Sequence, residues 1–467
     1  MNRQGSHRAE GAAHEAQGPL WHAAPPAPLT LSEHAGATLR LAFPVMVARA
    51  GLLVLVAVDT AMTGHVSGVE LAYYSLATAP QVPMLLVGIG LMMGTAVLAA
   101  QADGAGHATE CGAIWRVALA HAAVVGAVLL LLCQLGEEFL ALTGQSADNA
   151  RGGGRVLAMF GWGAPALLLY VATTFFLEGI HRPLPGVVVM VFANLINVGL
   201  NWVFIYGHWG APAMGAEGAA LATSMVRWFM FAAISGYVLV RIAPQGYGVR
   251  APIRDAGNIG RSLRRIGYPM GLSHGLESAA FSAMILFAGL LGATQAAAYM
   301  IAMNVVSLVF MCSIGFAAAA SVRVANAVGR GAHTDVRRAG WVAAALAAVM
   351  LLFIGVLVRG VPDAIAVAFT DDPEVLPLAV ATVRVAALVL LPDGLQAILM
   401  GAVRGTGHVW PATLRYLLAF WLVMTPLGYV LGVRWEGGAP ALMTSVMVGC
   451  IAATLLLGAR FRAVTRA

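Results

Sequence analysis

The sequence has 467 residues, 60% of them hydrophobic and only 10% charged, with a formal net charge of +6. A soluble chain carries about 25% charged residues, so this one has too little polar surface to face water, and its solvent is lipid. No lysine is present, which excludes any Schiff-base chemistry that needs one.

Residues 1–37 are polar and rich in His, Pro and Gly, without the apolar core of a signal peptide. They predict a disordered cytoplasmic tail. Beyond the tail, apolar stretches near 38–62, 70–101, 113–135, 154–180, 184–207 and 215–242 are separated by Gly, Pro and charge clusters. Each is long enough to cross a bilayer core of about 30 Å. A polar stretch at 243–261 then acts as a cytoplasmic linker, and the region from Arg241 to Arg265 holds six arginines. Six more spans follow near 262–288, 293–325, 339–359, 376–403, 409–432 and 438–460, with 461–467 as a cytoplasmic C-terminus. The expected fold is an all-α integral membrane protein of twelve transmembrane helices, with an N-lobe at 38–242 and a C-lobe at 262–460.

An internal repeat supports two homologous lobes. At an offset of 225, Pro44–Gly106 superimposes on Pro269–Gly331 without a gap, matching Gly64 with Gly289 and Tyr74 with Tyr299. A G-x-x-R match, Gly179–Arg182 with Gly401–Arg404, occurs at an offset of 222. Each lobe has an even number of spans, so both enter the membrane in one sense and enclose a cleft about an axis along the normal.

About 19 arginines fall on the side of the tail and linker against 4 on the other side, which holds most of the loop acids. Both termini are therefore expected in the cytoplasm, with the chain as a multi-pass protein of a bacterial inner membrane. The basic surplus reports topology, and no nucleic-acid partner is expected. The cysteines Cys111, Cys133, Cys312 and Cys450 lie far apart without ligand spacing, and read as packing residues.

Charged groups in mid-membrane are costly and imply a partner or a use. Asp59 lies late in the first span, Glu277 in the seventh three residues after His274, and Asp393 interrupts an apolar run in the tenth. Out of water, such a carboxyl can carry a proton, or, held ionised among oxygens, a sodium ion. Asn197 and Asn201 are four apart and share a helix face, and Thr223 follows in the sixth span. These form a hydrogen-bonding set around Asp59 or plain helix–helix bonds. Arg49, Arg227, Arg384 and Arg415 are intramembrane cations or snorkel to an interface. Arg49 and Asp59 are ten residues apart, about 15 Å along a helix, and cannot pair directly. No P-loop is present, so energy must come from an ion gradient.

Several blocks in order, V-D-T-A-M-T-G at 58–64, A-Q-A-D-G-A-G at 100–106, N-V-G-L-N-W-V-F-I-Y-G at 197–207, A-S-V-R-V-A-N-A-V-G-R-G at 320–331 and Q-A-I-L-M-G-A-V-R-G-T-G at 396–407, resemble the multidrug and toxic compound extrusion (MATE) family in its NorM-type branch. The resemblance implies a V-shaped antiporter, not an enzyme, that expels cationic or amphiphilic molecules against Na+ or H+ by rocking of the lobes. It implies cation coupling by Glu277 and Asp393 in the C-lobe, with Na+ as a ligand there. In the N-lobe it implies proton or cation coupling by Asp59, Asn197, Asn201 and Thr223. His274 and Arg49 depart from the family pattern and are expected to modulate coupling. Val389 stands where NorM-type members can carry a tyrosine. Membrane lipid is the expected surrounding, a monomer the expected state, and no cofactor beyond the coupling ion is expected. The alternatives are a flippase for a lipid-linked saccharide and, in a different class, a non-transporting receptor or membrane enzyme.

Overall fold

The computed structural model describes residues 29–253 and 255–466, and the expected tail lies largely outside the described residues. Among the described residues there are twelve long helices and no strand. They are α1 (Leu31–Gly64), α2 (Gly68–Gly104), α3 (Ala108–Gln134), α4 (Ala147–Gly179), α5 (Leu184–Tyr206) and α6 (Gly215–Gln245). In the second half come α7 (Ala256–Leu290), α8 (Ala293–Gly329), α9 (His333–Gly360), α10 (Val375–Gly405), α11 (Val409–Arg434) and α12 (Gly438–Val464). Eleven of them are long and apolar enough to cross a membrane. The exception is α7, whose apolar run is interrupted by Ser273, His274, Glu277 and Ser278.

Hydropathy misplaced three boundaries. The first helix begins at Leu31 rather than 38, because Thr30 and Glu33 form a capping box whose polar residues carry no hydropathy signal. The backbone N–H of Thr30 donates to Glu33 Oε2 at 2.8 Å, and that of Glu33 to Thr30 Oγ1 at 3.3 Å. The polar linker is shorter than expected because α7 starts at Ala256 and carries Arg261, Arg264 and Arg265 on helical turns. The last helix likewise continues to Val464. Helix α11 contains Pro426, which has no N–H to donate and crowds the preceding turn. The ladder widens into π turns on either side, at Ala419–Met424 and Tyr429–Arg434.

Each lobe packs around its fourth helix, α4 against α3 and α6, and α10 against α8 and α12. The repeat governs contacts as well as sequence. Glu70 Oε2 caps the start of α6 by accepting from the Ala216 N–H at 2.6 Å, and its counterpart at offset 225, Gln295, caps α12 through the Ala439 N–H at 2.8 Å. Gly179 lies against Ala96 and Ala99, whereas the equivalent surface, Ser321 and Val324, is met by Gly405. The structural match is therefore Gly179 with Gly405, and the G-x-x-R alignment at offset 222 is corrected. This register also makes Glu178 the counterpart of Arg404.

The lobes meet in a reciprocal seam toward the end where α1 begins and α12 finishes, the basic end. Gly104 lies against Asn326 and Gly329 against Gln101; Gly90 lies against Gly271 and Gly315 against Met46. Each pair is exchanged by the offset of 225, as contacts about a pseudo-two-fold axis must be. Glycine is needed because backbone approaches backbone. A Cβ on Gly90 would lie 2.7 Å from the Gly271 Cα.

Polar bonds reinforce the seam. Arg323 on α8 donates to the His34 carbonyl at 2.5 Å, to Thr38 Oγ1 at 2.7 Å and to His34 Nδ1 at 2.8 Å. His34 Nε2 is 3.4 Å from Asp335 Oδ1. Asn326 donates to Asp103, Gln101 to the Gly405 carbonyl, and Arg404 to Met93 Sδ. Among the described residues these inter-lobe bonds all cluster toward the basic end, so the lobes are sealed there and diverge toward the other end, as the arms of a V.

Candidate functional site

The first lobe buries one carboxylate in a shell of donors. Asp59 sits late in α1, 1% exposed. Its Oδ1 accepts from Asn197 Nδ2 at 3.0 Å and from Asn201 Nδ2 at 2.7 Å, both on α5. Its Oδ2 accepts from Thr223 Oγ1 on α6 at 2.5 Å and from the Tyr74 hydroxyl on α2 at 3.5 Å. The four-residue spacing of the asparagines places both amides over one acid, and all four residues singled out in the first lobe come together. A carboxylate holding four donors is satisfied while ionised. A proton arriving on it turns an acceptor into a donor, and the Thr223 hydroxyl can reverse to receive it. Tyr74 was missed, although it lies inside the repeat as the counterpart of Tyr299.

The second lobe is built differently. Asp393 on α10 is 5% exposed and accepts from Gln396 Nε2 at 3.4 Å and from the Cys450 thiol on α12 at 3.6 Å. Glu277 on α7 lies within its field, so the two acids are brought together across the lobe interior. Tyr416 on α11 lies in the field of Glu277 and brings from a neighbouring helix the phenol that Val389 does not. His274 Nδ1 lies 3.4 Å from Glu277 Oε2, and its Nε2 is buried without a partner. The Gln396 Oε1 is also buried and unpartnered, leaving an oxygen free beside two carboxylates. Tyr416, Gln396 and Cys450 gave no sequence signal, because none of them belongs to a periodic polar pattern along its helix.

Arg49 does not meet Asp59, as the spacing required. It lies 3.7 Å from Glu178 at the end of α4, with its guanidinium 5.4 Å from the centre of the Phe175 ring. Glu178 is a buried acid that reading the sequence overlooked, since its place at a helix end resembles a loop. Both groups lie in the field of Arg404, so the counterparts Glu178 and Arg404 face each other near the seam with opposite charge. At offset 225 Arg49 is the counterpart of His274, and each sits beside a carboxylate in its own lobe.

Two repeated helical lobes, sealed on one another at one end and burying separate carboxylate sites, define a polytopic membrane transporter rather than an enzyme. The MatE family model matches residues 44–203 and 269–430, one match in each lobe, and the chain belongs to that family. It is 35% identical over 427 residues to the probable multidrug resistance protein NorM of Caulobacter vibrioides, covering 91% of this chain and 90% of that protein. Its fold matches the eukaryotic MATE transporter AtDTX14 with a TM-score of 0.85 at 22% identity, over 93% of this chain and 98% of that one. It also matches the outward-facing conformation of a multidrug resistance MATE family transporter of the MOP superfamily, with a TM-score of 0.84 at 18% identity over 93% and 97% of the two chains.

Proposed function

We propose that this protein is a secondary active multidrug exporter of a bacterial inner membrane, expelling cationic or amphiphilic molecules in exchange for H+ or Na+. The observation that carries this reading is the pair of separate acidic sites, buried Asp59 in one lobe and half-buried Glu277 with buried Asp393 in the other, in lobes that meet at a seam toward the basic end. A carboxylate taken out of water binds a cation or proton tightly and must be neutralised to change exposure cheaply. Two lobes that rock about the seam can load such a site from one side and empty it to the other. The surplus of arginines supports a cytoplasmic basic end, and on that reading the arrangement is outward-open. The relative named as a multidrug resistance protein supports drugs as the exported class.

The test is uptake of ethidium into everted membrane vesicles or proteoliposomes under a proton or a sodium gradient imposed separately. One gradient should drive uptake, and D59N, E277Q or D393N should each lose at least tenfold in rate at normal membrane abundance. Uptake driven by neither gradient, or unchanged in all three variants, refutes the reading.

A further inference from the structure

The first lobe contains a cation that its hydrogen-bonded shell does not use. Arg227 lies on α6, one turn beyond Thr223, and reaches into the lobe where Gly163 of α4 makes room: a Cβ on that glycine would stand 2.9 Å from the Arg227 Cδ. The guanidinium lies 5.7 Å from the centre of the Phe160 ring. Phe160 meets Tyr74 edge-on at 5.6 Å between centroids, and the Tyr74 hydroxyl closes the chain on Asp59. Arg227 is thus held one aromatic layer from the acid, in its field and with no ion pair to it. Its Nη1 is buried with no partner, which is costly for a charged donor. A donor left in this state is poised for an acceptor that arrives at another stage.

The repeat supplies an independent observation. At offset 225 the counterpart of Asp59 is Met284, and α12, the counterpart of α6, has no charged residue from Gly438 to Ala459. Acid and cation are present together in one lobe and absent together in the other, as expected of groups that act as a pair.

We propose that Arg227 is the internal counter-ion of Asp59, a positioning residue that takes up the acid's charge when the coupling ion has left. This rests on the reading of Asp59 as a coupling site. The guanidinium competes with an incoming cation for the carboxylate and sets the pH range over which Asp59 exchanges its proton. The groups around the pair are Tyr74 of α2, Cys133 of α3, Asn197 and Asn201 of α5, and Thr223 of α6; α4 presents Phe160. Helices α8 and α9 meet α1 nearer the basic end, through Arg323 and Asp335.

The experiment compares wild type, R227Q, R227K, D59N and the double variant D59N/R227Q in proteoliposomes. Ethidium flux under an imposed ion gradient is followed across pH, alongside thermal unfolding of each purified full-length protein in detergent. Loss of the neighbouring positive charge favours the neutral carboxyl, so R227Q should move the pH of half-maximal flux upward by about one unit. R227K should retain the wild-type profile, and D59N/R227Q should behave as D59N alone. In unfolding, D59N/R227Q should melt above R227Q, since removing both charges leaves neither uncompensated. An unmoved profile in R227Q, or effects of the two substitutions that simply add in both measurements, overturns the proposal. If wild type moves no dye under any gradient, the antiport reading fails instead, and the unfolding cycle alone decides whether the two groups form a pair.

Discussion

Arg323 offers the sharpest test of the seam, because one side chain of the second lobe holds three atoms of α1. Its bonds to the His34 carbonyl, His34 Nδ1 and Thr38 Oγ1 are 2.5–2.8 Å long, and the residue is 6% exposed. A hydrogen bond to a charged group contributes about 1.5–3 kcal/mol. Three would sum to about 4.5–9 kcal/mol if they added, but they share one guanidinium and are not independent. Arg330 opposes them, lying near enough to repel Arg323. Opening the basic end also returns the guanidinium to water, which offsets part of the loss. About 3 kcal/mol of preference for the sealed state remains, equivalent to roughly 150-fold in the equilibrium between conformations. R323A should therefore populate a state with the basic end open and the opposite ends drawn together. Spin labels at L142C and W435C report this, since the two residues are 87% and 70% exposed in the α3–α4 and α11–α12 connections of different lobes at the far end. The native cysteines are buried or half-buried and should label poorly. Double electron–electron resonance should show one distance in the parent protein and an added shorter one in R323A. Superimposable distributions would refute the assignment of the seam's energy to these bonds.

Four further outcomes follow from particular contacts. G104V places a side chain against the Asn326 backbone and should cost about 1–3 kcal/mol of seam stability by overpacking, read as the same added short distance. Gly36 has nothing within 4 Å of a built Cβ, so G36A should leave the distances unchanged and raise the melting temperature slightly, a gain of about 0.8 kcal/mol in helix propensity. E70A and Q295A should each lower stability by about 1 kcal/mol through loss of a helix cap, measured by thermal unfolding in detergent. Tyr299 has a buried hydroxyl with no partner while Tyr74 donates to Asp59; Y299F should therefore be neutral or stabilising by about 1 kcal/mol, whereas Y74F should slow dye export in the vesicle assay.

Much of the architecture was legible because lipid imposes simple rules. Apolar runs located all twelve long helices, α7 included despite its polar insert, though with three boundaries displaced, and the repeat supplied the division into lobes. The Asp59 shell was legible because two asparagines four residues apart on an apolar helix must turn one way. The surroundings of Asp393 and Glu277 were not, since Cys450 and Tyr416 arrive from helices with no periodic polar pattern. Arg227 was seen but left between two readings, because whether an arginine snorkels or turns inward depends on the space made by Gly163, a packing fact with no trace in hydropathy. The G-x-x-R register failed for a related reason. Glycines at helix ends recur in both halves, and only their contacts on Ala96 and Ser321 show which two correspond.

The distribution of likeness between the halves has a physical cause. A reciprocal seam uses each contact twice, so a residue altered in one copy loses fit with a surface that its own counterpart also uses. Gly90 and Gly315, Gly104 and Gly329, and Gln101 and Asn326 match in size and polarity across the repeat, while Met46 and Gly271 are the seam pair that differs. The acidic clusters lie inside single lobes and carry no such constraint. Asp59 is answered by Met284, whose sulfur lies 3.7 Å from the Ser445 hydroxyl, and Glu277 is answered by Leu52. Tyr299 keeps the phenol of Tyr74 but faces no acid. With Gly179 and Gly405 equivalent, Asp393 is answered by Leu167, so the second lobe's acids occupy positions that are apolar in the first. On the proposed antiport reading, loading one lobe therefore does not repeat the chemistry of loading the other, and the seam is the element through which two unlike sites would act on the same motion.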